Sequence, residues 1–242
     1  MKPLAFILAG QSNMRGSGTV SELPEHLRRL PGTVELHISE SVRSQPPHFG
    51  PEIGFAHAIA PEFPGCRIVL IKHAMGGASL LDWDPDWTYE RAAITEGQQM
   101  GAQYPIMIDL VREVTRGREV EFAAILWMQG ERDSRFPEAA RQYEANLRTL
   151  IARFRRDVGV PGVPFIFGRA NPPRDERYAV QDVVLAAMDA VERTERNVAG
   201  VSTEGISKLA DGLHYDSPGL IELGRRFAQA YLAVSRATPP AH

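Results

Sequence analysis

The sequence contains a serine, a histidine and an aspartate whose positions suit proton transfer, and two of them lie close together. Asp211 and His214 are three residues apart, so one turn of the chain can bring the carboxylate to an imidazole nitrogen. Ser12 is the candidate third member, because it lies in the turn that follows an apolar run near the N-terminus. An imidazole can take the proton of a serine hydroxyl, and a carboxylate can hold that imidazole in the required tautomer. The three residues predict nucleophilic attack by Ser12 on an acyl bond.

Two further segments have the chemistry to stabilise the negative oxygen that such an attack creates. Gly76 and Gly77 are paired glycines, which let backbone N–H groups approach a ligand closely. Gln129 ends a central apolar run, and its side-chain NH2 is a candidate third donor. Glu131 has the chemistry of a general base, but its neighbour Arg132 favours a structural ion pair. Taken alone, serine and glycine after a strand are also ordinary turn residues.

Composition and charge restrict the remaining functions. The 242 residues are 43% hydrophobic and 24% charged, with a net charge of -3 and scattered basic residues. We therefore expect a folded protein with no nucleic-acid partner. No apolar run approaches the roughly 18 residues of a membrane span, and the N-terminus lacks the pattern of a secretory leader. We expect a soluble protein, cytoplasmic as the sequence stands and secreted or periplasmic if a leader was removed.

Cysteine and histidine usage gives no indication of a metal or a cofactor. Cys66 is the only cysteine, so no internal disulfide and no cysteine-based metal site can form. The histidines show none of the dense spacings that are typical of metal ligands. We expect a reaction that needs neither a metal nor a cofactor.

Apolar runs that alternate with helical patterns predict the fold. The runs typical of strands cover residues 4–9, 34–38 (an edge strand), 67–72, 122–128, 164–167 and 198–202. The helical patterns cover residues 53–60, 104–115, 137–156, 178–194 and 218–234. Alternation of this kind implies right-handed crossovers and a parallel sheet between helical layers. We predict one doubly wound α/β domain over residues 1–236, followed by a frayed tail at 237–242.

The candidate residues follow the predicted strands directly, or lie in the loop that enters the last helix. In an open α/β sheet the ligand crevice lies beyond the carboxyl ends of the strands. Two long irregular stretches, residues 15–51 and 75–103, are expected to border that crevice. Trp83 and Trp87 lie in the second stretch, and an indole stacks well on the apolar face of a sugar ring. We predict that both contact a sugar substrate, although tryptophans in a loop are just as often packing anchors.

Five segments, in order along nearly the whole chain, resemble the SGNH hydrolase superfamily. The resemblance is closer to its sialate O-acetylesterase and acetylxylan esterase branch, the carbohydrate esterase family 6 type. The segments are Gly10-Gln11-Ser12-Asn13-Met14, Gly50-Pro51-Glu52-Ile53-Gly54-Phe55, Gly76-Gly77-Ala78-Ser79 with Trp83, Trp127-Met128-Gln129-Gly130-Glu131, and Asp211-Gly212-Leu213-His214-Tyr215-Asp216-Ser217-Pro218-Gly219. Gln129 replaces the asparagine of the wider superfamily, as it does in the branch. Ala78 replaces the usual hydroxyl residue, which removes a side-chain hydrogen bond from that loop.

The resemblance implies a flavodoxin-like α/β/α sandwich and assigns the catalytic roles. Ser12 would be the nucleophile, His214 the general base and Asp211 the residue that orients it. The implied oxyanion hole consists of the N–H groups of Ser12 and Gly77 and the side chain of Gln129, with Gln11, Gly76 and Glu131 in supporting positions. The α/β-hydrolase fold is the alternative for a serine esterase. That fold places Gly-x-Ser-x-Gly in mid-chain with a well-separated acid and histidine, which this sequence does not do.

The activity so predicted is removal of O-acetyl groups from sialic acid, xylan or related sugars through an acyl-enzyme. One alternative is an esterase or thioesterase for simple short acyl chains, which would require a long apolar groove. Another is a carbohydrate-binding protein that has lost catalysis. The intact Ser12, Asp211 and His214 argue against the second alternative, because a binding module has no need of them.

Overall fold

The computed structural model describes residues 1–43 and 48–237. Ala237 is the last residue of the final helix, and the rest of the predicted C-terminal tail lies outside the described residues. No helix in the described part of the chain combines the length and apolar character needed to cross a bilayer.

Six strands form one parallel sheet, and two very short strands pair separately. The strands are β1 (Leu4–Gly10), β2 (Gly18–Thr19), β3 (Val34–Ile38), β4 (His48–Phe49), β5 (Ile68–Ala74), β6 (Glu121–Met128), β7 (Phe165–Gly168) and β8 (Val198–Val201). The sheet has the order β3-β5-β1-β6-β7-β8, while β2 pairs antiparallel with β4. The six strands predicted from sequence are confirmed to within two residues at each end, including β3 at the edge.

The helices cover both faces of the sheet. They are α1 (Ser12–Arg15), α2 (Glu40–Arg43), α3 (Glu52–Ile59), α4 (Tyr89–Ala93), α5 (Gln103–Thr115), α6 (Pro137–Asp157), α7 (Gln181–Thr194) and α8 (Ser217–Ala237). Alternate side chains of β1 enter two separate apolar cores. The core that contains Ile7 lies against α5, α6 and α7, and the core that contains Phe6 lies against α3 and α8.

Two helix starts differ from the prediction for local reasons. The pattern over residues 178–194 is interrupted at Val180, whose ψ of 21° is not helical, so α7 begins at Gln181. The last helix begins one residue before the predicted pattern, and Asp216 caps it. Its carboxylate accepts a hydrogen bond from the N–H of Gly219 at 2.8 Å. Ser217 is thereby the first residue of α8, and its hydroxyl accepts from the N–H of Thr19 at 3.0 Å.

The strand order places a crevice at the end of β1. From β1 the chain builds β3 and β5 on one side and then β6, β7 and β8 on the other. Apart from the edge strand β3, this is the strand order of the flavodoxin-like fold, as predicted. The direction in which the chain adds strands reverses beside β1. The loops that leave the strands on its two sides therefore diverge and leave space beyond the carboxyl end of β1. Ser12 follows β1 at this point.

Candidate active site

A sharp turn between β1 and α1 places Ser12. Gly10 has a φ of 148°, and a Cβ atom there would lie 2.1 Å from the carbonyl oxygen of Met128. Glycine is therefore needed for the chain to turn this close to β6. The helical turn that follows is closed by the N–H of Gly16, which donates to the carbonyl of Ser12 at 2.7 Å. Ser12 is 5% exposed and lines a cavity of about 330 Å³.

The structure brings Ser12, His214 and Asp211 into one chain of hydrogen bonds. The distance from Ser12 Oγ to His214 Nε2 is 3.0 Å, and that from His214 Nδ1 to Asp211 Oδ2 is 2.6 Å. The other carboxylate oxygen of Asp211 accepts the N–H groups of Leu213 at 2.9 Å and His214 at 3.0 Å. The carboxylate is thus held by three donors from its own loop.

These contacts set the charge state and the tautomer that a hydrolase needs. Burial acts to raise the pKa of Asp211. The hydrogen bonds from the His214 ring and from two backbone N–H groups act in the opposite direction and together outweigh burial. The pKa of Asp211 consequently lies below its ordinary value. An ionised Asp211 keeps the imidazole proton on Nδ1, which leaves Nε2 of His214 to accept the hydroxyl proton of Ser12.

Two backbone N–H groups of the predicted oxyanion hole border the same cavity. Ser12 and Gly77 both line it, and Gly77 has a φ of 77°. Within the described residues, no hydrogen-bond acceptor is found for either N–H group. Both donors are therefore open to a ligand oxygen.

Gln129, the predicted third donor, does not reach the cavity. It is fully buried, and its NH2 group donates to the side chain of Asp133, to Gln11 Oε1 at 3.2 Å and to the carbonyl of Ala78 at 3.3 Å. Its Oε1 accepts the hydroxyl of Tyr143 at 3.0 Å. The prediction that Gln129 donates directly to an oxyanion is wrong in this geometry, because both amide protons already have internal acceptors. Gln129 instead supports Gln11, which does line the cavity.

Asp133 is a buried carboxyl whose protonation should couple folding to pH. Burial raises the pKa of Asp133 to about 7, although hydrogen bonds from Gln129 and the N–H of Leu80 lower it. An aspartate of the unfolded chain ionises near pH ~4. Between these values the folded state binds the additional proton, so the free energy of unfolding should fall as pH rises from about 4 to about 7. Thermal unfolding followed by circular dichroism should show a smaller decrease in Tm from pH 5 to pH 8 for Asp133→Asn than for wild type. Parallel curves for the two proteins would contradict this assignment.

Glu131 and Arg132 do not form the expected ion pair. The guanidinium of Arg132 donates to the carbonyl of Thr95, at 3.0 Å from Nε, and its nearest carboxylate is Glu96 at 3.8 Å. Glu131 Oε1 accepts the amide of Asn13 at 2.8 Å, and its Oε2 is buried with no partner in the described chain. Burial raises the pKa of Glu131. The two side chains diverge because the turn after β6 directs neighbouring residues to different sides.

Asn13 connects the serine turn to the histidine loop, a role that the sequence did not reveal. Its Nδ2 donates to Glu131 and, at 3.2 Å, to the carbonyl of Leu213, while its Oδ1 accepts the N–H of Tyr215 at 3.2 Å. Asn13 thus holds the residues on both sides of His214. The histidine loop lies about 200 positions away in the chain, so only the place of Asn13 in the Gly10 to Met14 segment could have drawn attention to it.

A buried ion pair between Lys72 and Glu52 stabilises the turn that contains Ser12. Lys72 Nζ donates to Glu52 at 2.6 Å and to the carbonyl of Arg15 at 2.8 Å, and the two charged side chains are 1% and 5% exposed. The second carboxylate oxygen of Glu52 accepts the N–H of Gly50 at 2.9 Å. The segment that contains Gly50 and Glu52 therefore fixes the end of α1, which explains its place among the five similar segments.

The predicted substrate contacts of the two loop tryptophans are not found. Trp83 is fully buried and packs edge-on against Trp127, with ring centroids 5.2 Å apart. The prediction is wrong for Trp83, because its loop folds inward around Asp82, which accepts the N–H and the hydroxyl of Ser79 at 2.7 and 2.9 Å. Trp87 is half-buried and lies outside the cavity of Ser12. Trp83 is therefore a packing anchor of the loop.

Comparison with known proteins identifies the family. Residues 3–233 match the family model described as carbohydrate esterase, sialic acid-specific acetylesterase. The chain belongs to this family. A probable carbohydrate esterase of Arabidopsis thaliana is 26% identical over 266 residues, which cover 94% of this chain and 90% of that protein. The members of the family are carboxylic ester hydrolases.

Solved structures agree with the fold of a carbohydrate acetylesterase. The crystal structure of the Arabidopsis thaliana protein gives a TM-score of 0.77 at 24% identity, covering 96% of this chain and 99% of that one. NanS gives 0.72 at 13% identity, covering 98% and 100%. A carbohydrate acetylesterase from Xanthomonas citri gives 0.70 at 13% identity, covering 98% of this chain and 57% of that one.

Arginines are the side chains of the cavity beside Ser12 that sequence reasoning missed. Arg15, Arg132 and Arg135 line it together with Tyr178. The guanidinium of Arg15 lies over Gly76, so closely that a Cβ atom there would be 2.9 Å from Nη1. In the described chain, neither Arg15 nor Arg135 forms an ion pair with a carboxylate. These positions carry no periodic or motif signal, because their shared location depends on loops that meet only in the fold.

Proposed function

We propose that the protein is a serine esterase that removes O-acetyl groups from acidic sugars, of which sialic acid is the model substrate. The observation that carries this proposal is the hydrogen-bonded chain of Ser12, His214 and Asp211 at a cavity that Arg15 and Arg135 also line. Neither arginine has a carboxylate partner in the described part of the chain. The first part supplies the chemistry of ester hydrolysis, and the second supplies positive charge where the rest of the substrate must lie.

The reaction proceeds through an acetyl-enzyme. Ser12 Oγ attacks the acetyl carbonyl carbon while its proton passes to Nε2 of His214. Collapse of the tetrahedral intermediate breaks the bond to the sugar oxygen, which leaves as the alcohol after taking that proton from His214. Water then attacks the acetyl carbonyl, again with His214 as the base. Acetate departs, and the proton returns to Ser12.

The charge of the cavity supports an acidic sugar rather than a neutral one. A guanidinium binds a carboxylate through two parallel N–H groups, and this pairing is stronger than a hydrogen bond between neutral groups. The guanidinium groups of Arg15 and Arg135 can bind a substrate carboxylate in this way, whereas that of Arg132 donates to the carbonyl of Thr95. Glu131 also lines this cavity, and burial raises the pKa of its carboxyl. An acetylated xylan chain offers no negative group to these arginines.

Replacing Arg15 by methionine should separate substrate binding from acetyl transfer. We expect Arg15→Met to raise KM for O-acetylated sialic acid at least ~10-fold, since the loss of a charged hydrogen bond costs about 1.5–3 kcal/mol. The same variant should keep kcat/KM for p-nitrophenyl acetate within about threefold of wild type, because that ester carries no carboxylate. Steady-state kinetics on both substrates provide the measurement.

Arg141→Met is the matched control for this experiment. Arg141 is exposed on α6 and does not line the cavity, so both substrates should be hydrolysed as by wild type. Equal losses of Arg15→Met on the two substrates would show a general disturbance of the site. No loss on the acidic sugar would favour neutral sugars or simple acyl esters instead.

A further inference from the structure

We propose that the side-chain amide of Gln11 is the third donor of the oxyanion hole. The inference rests on the proposed function, because it names a group for the same acetyl transfer. It assigns to Gln11 the role that sequence reasoning gave to Gln129, and it assigns to Gln129 the role of positioning Gln11.

The orientation of the Gln11 amide follows from the partners of its oxygen. Gln11 Oε1 accepts Nε2 of Gln129 at 3.2 Å and the backbone N–H of Arg132 at 3.4 Å. Both donors belong to the segment after β6, so the carbonyl end of the amide faces that segment. The NH2 group is at the opposite end of a planar amide and must face the other way.

The NH2 group of Gln11 faces the cavity of Ser12. Gln11 lines this cavity although it is only 3% exposed. Within the described residues, Gln11 Nε2 donates no hydrogen bond, and both hydrogen bonds of the side chain are made by its oxygen. A nearly buried amide with unsatisfied donors requires a partner from water or from a ligand. The adjacent open N–H groups of Ser12 and Gly77 indicate that this partner is an oxygen atom of the reacting ester.

A row of buried side chains holds Gln11 in place. Tyr143 donates to Gln129 Oε1 at 3.0 Å, and Asp133 accepts from Gln129 Nε2. With both ends of its amide fixed, Gln129 presents its Nε2 to Gln11 in a set direction. The donor at the cavity is therefore oriented before the substrate arrives, which is the condition for strong stabilisation of a transition state.

Substitution of Gln11 should reduce turnover without weakening substrate binding. The carbonyl oxygen gains full negative charge only in the tetrahedral intermediate, so the donor contributes mainly there. We expect Gln11→Met to lower kcat for p-nitrophenyl acetate by ~10² to 10³, with KM within about threefold of wild type. Gln11→Glu keeps the acceptor for Gln129 but removes the donor, and it should lose at least as much.

A boronic acid tests the same group without turnover. Phenylboronic acid forms a tetrahedral adduct with a nucleophilic serine, so its inhibition constant reports the oxyanion site. Gln11→Met should weaken inhibition by phenylboronic acid at least ~10-fold. Gln142→Met is the matched control and should behave as wild type, because the Gln142 side chain donates to Glu138 on the surface of α6 and does not line the cavity.

The outcomes separate this inference from the proposed function. If wild type hydrolyses the ester and both Gln11 variants retain kcat within threefold, the donor role of Gln11 is overturned and the esterase assignment stands. A proportional change in kcat and KM, or a large loss of Tm, would make Gln11 a structural residue and also overturn the donor role. Wild-type protein that neither hydrolyses the ester nor binds the boronic acid would overturn both proposals.

Discussion

Replacement of Ser12 by alanine is expected to lower kcat for acetyl-ester hydrolysis by a factor of ~10³ or more, with the fold intact. Without Oγ no acetyl-enzyme can form, and only the oxyanion donors and substrate binding continue to accelerate direct attack by water. The hydroxyl of Ser12 contacts His214 at the wall of a cavity, so its removal leaves no buried void. The measurement is steady-state hydrolysis of p-nitrophenyl acetate, with circular dichroism of both proteins.

Ser202→Ala provides the matched control for the nucleophile. Ser202 is exposed after β8 and does not line the cavity, so its loss should leave kcat unchanged. A Ser12→Ala protein that retains turnover within tenfold of wild type would contradict the proposed mechanism as a whole.

Asp211→Asn should lower kcat by about 10³ while KM changes little. The asparagine side chain can turn its NH2 group toward Nδ1 of His214, which would place the ring proton on Nε2, facing Ser12. The imidazole could then no longer accept the serine proton. The variant would also lack the negative charge that stabilises the imidazolium formed during the reaction. Separate determination of kcat and KM tests this expectation.

Glu131→Gln is the companion variant, because Glu131 is the other carboxyl near the histidine loop. Glutamine retains an oxygen that can accept the amide of Asn13, as Glu131 does at 2.8 Å. We expect its kcat to remain within about tenfold of wild type. A nearly normal Asp211→Asn together with an inactive Glu131→Gln would identify Glu131 as the acid of the site.

Strands and the order of the site segments were accessible from sequence for a physical reason. Strands buried on both faces are continuous apolar runs, and the residues that follow them necessarily meet at one edge of a parallel sheet. Asp211 and His214 were also accessible, because three residues separate them and one turn suffices to join them. These inferences need only local pattern and one topological rule.

The finer arrangement depended on packing that no local pattern encodes. Gln129 and Gln11 are both amides at strand ends, and only the buried partners Asp133 and Tyr143 determine which of them faces the cavity. Trp83 lies in an irregular stretch whose sequence predicts an open loop. The loop instead folds onto the core, and the Trp83 side chain is completely buried. The arginines of the cavity come from separate loops.

The structure contains a second contact between a serine and a histidine, which makes the identity of the nucleophile testable. Ser39 Oγ lies 2.7 Å from His73 Nδ1, but both residues are buried, and burial lowers the pKa of His73 to about 4. Neither residue lines the cavity that contains Ser12. Proximity to a histidine alone would not distinguish the two serines.

Mapping the site of covalent labelling by a fluorophosphonate tests the central claim most directly. The probe reacts with an activated serine, and peptide mass spectrometry locates the adduct. The mechanism predicts one adduct, on Ser12, with labelling abolished in Ser12→Ala and unchanged in Ser202→Ala. An adduct on Ser39 or on any other serine of the wild-type protein would contradict it.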